Sequence, residues 1–154
     1  MTPRHFLSDQ SPLKTDDAAA AIIVVGNSGY LLQLRDDIPG IFYPGHWCCF
    51  GGAIDPGEAA HDALRRELAE ELEFNVAHCE DFIRLDFDLA GVNGKKVYRT
   101  YYEVHVTDGE ASQFVLHEGA DAKVLQAADI FDGRPLAHYD AFALWLHVAR
   151  ARMR

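Results

Sequence analysis

The chain has 154 residues, 49% of them apolar and 25% charged, which suits one globular domain with its own core. A formal net charge of −10 argues against broad contact with a nucleic-acid polymer, which needs clustered Lys and Arg, and no apolar run approaches the ~20 residues of a membrane span. Three cysteines, two of them adjacent (Cys48 and Cys49), make no disulfide framework or zinc spacing, and Met1–Asp17 lacks a signal-like apolar stretch, so a cytoplasmic protein with reduced thiols is expected.

In chain order, Met1–Asp17 is polar, carries Pro3 and Pro12, and reads as an N-terminal arm ahead of a single domain over residues 18–154. Ala19–Val25 and Tyr30–Arg35 are apolar runs around Gly26-Asn27-Ser28-Gly29, the pattern of a hairpin. Asp36–Gly45, with Pro39, Gly40, Pro44 and Gly45, is a loop. Trp47–Phe50 reads as a short buried strand that Gly51-Gly52 ends. After the Pro56-Gly57 turn, Glu58 to about Leu72 has helical spacing, with Ala59, Ala60, Ala63, Leu64, Leu68 and Leu72 forming one apolar stripe. Phe82–Leu89 and Val97–Val106 alternate as strands, joined through Asn93-Gly94, a strong hairpin signal. Phe114–Leu116 and Ala122–Leu125 are candidate short strands. Ala137–Arg150 is a C-terminal helix with Trp145 and its neighbours expected in the core, or at a dimer contact. This order of strands with two helices predicts an α+β or α/β sandwich.

The chemistry concentrates on the first helix. Glu67 and Glu70 are separated by three positions, Glu67 and Glu71 by four, so their carboxylates share one face. Each like-charge pair costs roughly 0.2–0.5 kcal/mol on an exposed helix. A hard divalent cation reverses that sign, because Mg²⁺ prefers oxygen ligands. On a diphosphate such a cation neutralises phosphoryl oxygens and lowers the pKa of an attached water. Arg66 is placed to orient the carboxylates through charge-assisted hydrogen bonds. The plainer reading of an isolated E-x-x-E-E is a solvated acidic face.

The longer pattern decides between them. Gly52, Glu58, Arg66, Glu67, Leu68, Glu70, Glu71 and Phe74 stand at the spacing G-x5-E-x7-R-E-U-x-E-E-x-G-U, with U a bulky apolar residue. A chance match at the six strict positions kept here is on the order of one in ten million per starting point. The segment resembles the signature of the Nudix hydrolase family. One position departs from it: Glu73 stands where the family has Gly, at a helix end where a left-handed backbone suits glycine.

The resemblance implies an α/β fold, a Nudix-like α/β/α sandwich with a mixed sheet. It implies a Mg²⁺-dependent pyrophosphohydrolase, with Mn²⁺ as a possible substitute. Glu67, Glu70, Glu71 and the Gly51 carbonyl would hold metal, Arg66 would orient the carboxylates, and Glu58 would support the loop–helix geometry. Glu118, in a later loop, is the candidate for an added metal ligand or general base. Its alternative is an ordinary exposed loop residue.

The implied substrate is a small nucleotide-like diphosphate, such as a nucleotide sugar or modified nucleoside triphosphate. Tyr43 and His46, in the loop leading into the box, are candidates for stacking on a base. Arg35 and Arg99 are candidates for gripping a phosphate or sugar, against the plainer reading of surface ion pairs. Trp47 is read as core, and Cys48 and Cys49 as small strand residues without a paired base. Ala77–Gly94 lacks the proline, tyrosine or Ser-Gln-Pro-Trp markers of three Nudix subgroups. Two other classes stay open: a nucleotide-binding module without turnover, and an isomerase of isoprenoid diphosphates using Cys48 or Cys49.

Overall fold

The computed structural model describes residues 18–88, 91 and 96–150. The expected arm and the Asn93-Gly94 turn lie outside the described residues. Eleven elements follow in order: β1 (Ala18–Val25), β2 (Gly29–Leu34), β3 (Trp47–Cys48), β4 (Phe50–Ala53), α1 (Ala60–Leu72), β5 (Glu80–Asp88), β6 (Lys96–Val106), α2 (Asp108–Ala111), β7 (Asp121–Gln126), α3 (Ala127–Ile130) and α4 (His138–Arg150).

β1 organises the rest. All eight of its residues are buried, the mark of a strand covered on both faces. Ala19, Ala21, Ile23 and Val25 pack toward Leu64, Leu68 and Leu72 of α1. Ala20, Ile22 and Val24 pack on the other face with Ile130 of α3 and Ala143 and Leu144 of α4. This is the expected α/β/α sandwich. The sheet is mixed, because β1 runs parallel to β6 and antiparallel to β2 and β4. Ala18–Ala21 pair with β4, while Ile23–Val25 pair with β2. β7 lies antiparallel along β2, and β5 along β6. No described helix is long and apolar enough to cross a membrane.

The structure corrects several local expectations. Gly51 and Gly52 do not end a strand but lie inside β4. At Gly51, with φ 131°, a Cβ would stand 2.2 Å from the Ala19 carbonyl oxygen, so only glycine lets the two strands meet. Helix α1 begins at Ala60 rather than Glu58, and Glu71 joins its buried stripe while Ala59 stays exposed. Phe114–Leu116 forms no strand. Its backbone turns to the end of α1 instead, with Val115 N–H donating to the Leu72 carbonyl at 3.1 Å. Trp145 is not core. The buried face of α4 is Tyr139, Asp140, Ala143, Leu144 and His147, which leaves Phe142 and Trp145 facing outward.

Candidate active site

Arg66 is the hub of the acidic helix. The Glu58 carboxylate, at the turn before α1, accepts from Arg66 Nε at 3.0 Å and Nη2 at 2.9 Å, a two-bond fork. Glu58 Oε2 also accepts from the Asp55 amide at 3.0 Å. Arg66 Nη2 donates to the Ala53 carbonyl at 3.0 Å, and Nη1 donates to Glu67 Oε1 at 2.8 Å. Nη1 lies 3.6 Å from Glu70 Oε2. One guanidinium thus ties the end of β4, the turn and the helix together. The Arg66 hydrogen bonds hold the Glu58 carboxyl below its usual range.

The glycines of β4 make room for the carboxylates. A Cβ on Gly52 would sit 2.4 Å from the Glu67 carboxyl carbon. The Gly51 amide donates to Glu71 Oε2 at 3.0 Å. Burial pushes Glu67 up, and Arg66 pulls it back. Burial pushes Glu71 up to about 8, against the Gly51 hydrogen bond, and the Glu118 and Glu67 charges add to the rise. The charge of Glu118, 47 residues beyond Glu71 in sequence, thus raises both Glu67 and Glu71. Glu70 faces outward, its side chain 61% exposed.

This donor set fits a hard divalent cation. It is all oxygen, and it crowds carboxylates around the buried Glu71, whose charge Arg35 offsets only in part. Among the described residues no three Asp, Glu, His or Cys side chains are already gathered at ligand distance. Glu67 is turned to Arg66 and Glu71 to the Gly51 amide.

Next to Gly51 and Gly52 opens a cavity of about 390 Å³, within the size range of small-molecule pockets. Arg35, Arg99, Phe42, Cys48, Tyr139 and Asp140 are among its walls. Arg35 and Arg99 each keep a buried Nε without a hydrogen-bond partner. They are not the surface ion pairs of the plainer reading. Arg99 lies 3.9 Å from the fully buried Asp140, and its guanidinium covers the Tyr139 ring at 4.2 Å. Asp140 also accepts from the Cys49 amide and the Tyr101 hydroxyl, each at 2.9 Å. Burial raises the Asp140 carboxyl, and Arg99 is the largest counterweight. Arg35 reaches toward both halves, because its charge acts on Glu71 as well as on Asp140.

The structure therefore brings Arg66, Glu67, Glu71, Gly51 and Glu118 together and sets Arg35 and Arg99 in the adjoining cavity. Tyr43 and His46 are not among its lining residues. Tyr43 meets the rings of His46, His138 and Tyr139, and His46 bonds the Pro44 carbonyl at 2.8 Å, so the pair braces its loop against the start of α4. From that loop it is Phe42 that lines the cavity. Sequence reasoning missed Tyr139 and Asp140. The available signal was the one Asp of a largely apolar helix, in its first turn.

The model of the NUDIX domain matches residues 15–144. A nucleoside triphosphatase, NudI, of Escherichia fergusonii is 46% identical over 50 residues, 32% of this chain and 35% of that protein. That match spans about a third of the length of either protein. The crystal structure of a MutT NUDIX hydrolase from Burkholderia pseudomallei superposes with a TM-score of 0.68 at 24% identity, covering 86% of this chain and 98% of that one. The NUDIX domain of Shewanella oneidensis NrtR, solved with ADP ribose, gives a TM-score of 0.69 at 21% identity and covers all of both chains. Below 25% identity, these two likenesses show the fold alone.

Proposed function

The chain belongs to the Nudix family, and on that premise we propose that it hydrolyses a diphosphate bond in a small nucleotide-like substrate with the help of Mg²⁺. One observation carries the reading. The glutamate face of α1 and the arginine-lined cavity meet at Gly51 and Gly52, so an acidic half and a cationic half share one site.

Glu67, Glu70, Glu71 and Glu118 are the residues that would hold the ion, with the Gly51 carbonyl as a further ligand. When bound, a divalent cation neutralises phosphoryl oxygens and acidifies water. Arg66 fixes Glu67 in its rotamer and keeps α1 in register with β4. A carboxylate of the group accepts the proton of the attacking water. Arg35 and Arg99, in the cavity wall, offer positive charge to a phosphate or to an acceptor-bearing group beyond it. Phe42 adds an apolar surface at the cavity wall. The products are a nucleoside monophosphate and a phosphorylated remainder. The substrate class we propose is a nucleotide sugar or a modified nucleoside triphosphate. Residues 18–154 act as one domain behind an N-terminal arm, in a cytoplasmic setting that suits the three free cysteines.

The test is a hydrolysis panel of nucleotide sugars, dinucleotides and normal and oxidised nucleoside triphosphates, run with Mg²⁺ or Mn²⁺ beside the Glu70→Gln variant. Phosphorylated products that the variant fails to release support the reading. Nucleotide binding without cleavage by the wild type would instead make the protein a binding module.

A further inference from the structure

Glu73 holds a left-handed backbone, φ 55° and ψ 29°, one of two described non-glycine residues with positive φ. A side-chain-bearing residue there is strained, so something must compensate. Its carboxylate does something that a glycine cannot. Glu73 Oε1 accepts from His117 Nε2 at 2.6 Å, across 44 residues of sequence.

His117 precedes Glu118, and the segment around them is pinned on both sides. On the helix side, Val115 N–H donates to the Leu72 carbonyl at 3.1 Å and His117 N–H to the Glu71 carbonyl at 2.9 Å. On the sheet side, Gln33 Nε2 donates to the Glu118 carbonyl at 2.7 Å and Ala120 N–H to the Leu34 carbonyl at 2.8 Å. Gly119, with φ 89°, sits where a Cβ would be 2.8 Å from the Leu34 carbonyl oxygen. The backbone of Glu118 is thus stretched between the end of α1 and β2. The ion pair itself is half exposed, 59% at Glu73 and 49% at His117, too open to contribute much to stability. What it does supply is a fixed direction for His117 and, through it, for the next residue.

We infer that the Glu73–His117 pair is a latch that positions Glu118 against Glu67 and Glu71. The inference rests on the proposed role of Glu118 in hydrolysis. Glu73 and His117 are positioning residues that touch neither substrate nor the reacting atoms.

The experiment compares Glu73→Gly, Glu73→Gln, His117→Ala and Glu118→Gln in steady-state kinetics, thermal melting and amide exchange. His78→Ala, which breaks an exposed His78–Glu80 pair of 3.3 Å outside the cavity lining, is the control. Glu73→Gly removes the backbone strain, so its melting temperature stays level or rises, while kcat falls roughly tenfold with KM unchanged. His117→Ala gives the same kcat loss. Glu73→Gln, which still accepts from the imidazole, restores most of the activity. In a Glu118→Gln background, Glu73→Gly has no further effect. Without metal or substrate, the amides of residues 117–120 exchange faster in Glu73→Gly and His117→Ala than in the wild type or the control. An inactive Glu118→Gln beside fully active Glu73→Gly and His117→Ala would overturn the latch and leave the role of Glu118 standing. A fully active Glu118→Gln would overturn both.

Discussion

Single residues carry the site through room and direction rather than through strength of binding. Gly52 is the sharpest case. A methyl group there would meet the far end of the Glu67 side chain, not backbone, so Gly52→Ala folds but turns Glu67 aside. We expect its kcat to fall at least tenfold with melting nearly unchanged, a pairing that kinetics and calorimetry on one sample check. Arg66→Ala strips Glu58, Glu67 and the Ala53 carbonyl of their common partner and should cost roughly 10–100-fold in activity or metal affinity. The cysteines separate by environment. Burial pushes the Cys48 thiol up to about 12 and Cys49 well above its usual range, whereas Cys79 is only partly buried. Iodoacetamide on the native protein should modify Cys79 first, read by peptide mass mapping. Arg66, Glu67 and Glu71 were legible because helix spacing fixes which residues share a face. Asp140 and Tyr139 were not, because they reach the cavity from a helix some 40 residues beyond Arg99, and no local pattern encodes that meeting.

At the scale of elements, periodicity found both long helices and most strands, and it failed where a neighbour decided the outcome. Gly51-Gly52 resembles a strand end, but the close approach of β1 keeps it in the sheet. Phe114–Leu116 has strand-like side chains, but the Phe114 amide goes to the Ala111 carbonyl of α2 and the Val115 amide to the Leu72 carbonyl of α1. The short helix α2 rests on a capping box, Thr107 with Glu110, whose S/T-x-x-E spacing is visible in the sequence although no apolar run follows it. In α4 the apolar residues cover more than one face, so composition could not say which side turns inward. Leu144 is fully buried and Trp145 is 53% exposed. Leu144→Ala should therefore destabilise by about 2–5 kcal/mol, while Trp145→Lys stays within about 0.5 kcal/mol, as denaturant melts will show.

Across the whole molecule, the sandwich holds α4 to the sheet by charge as well as by packing. Glu103 of β6 receives hydrogen bonds from Arg150 and His105, with His147 3.2 Å away and itself bonded to Tyr30. Burial would raise the Glu103 carboxyl, but the Arg150 and His105 bonds and the His147 charge outweigh it and bring it down to about 2. A carboxyl lowered in the folded state contributes stability above its unfolded pKa and loses it as pH falls toward the folded value. Stability should therefore drop by up to about 3 kcal/mol between pH 4.5 and 2 on this account. Burial also lowers His147, so acid that protonates it acts in the same direction. Glu103→Gln should flatten this limb of a melting-temperature profile, and an unchanged limb would remove Glu103 from the explanation.

The same architecture sets the acidic half of the site on α1 and the cationic half just after β2 and on β6, meeting at β4. The most direct test is the split of kcat and KM between two variants, Glu71→Gln and Arg35→Ala, on the best substrate of the panel. The account predicts a kcat loss of roughly 100-fold with little change in KM for Glu71→Gln, and a raised KM with kcat largely kept for Arg35→Ala. Equal losses of kcat in both, or no effect of Glu71→Gln on turnover, would contradict a site built from these two halves.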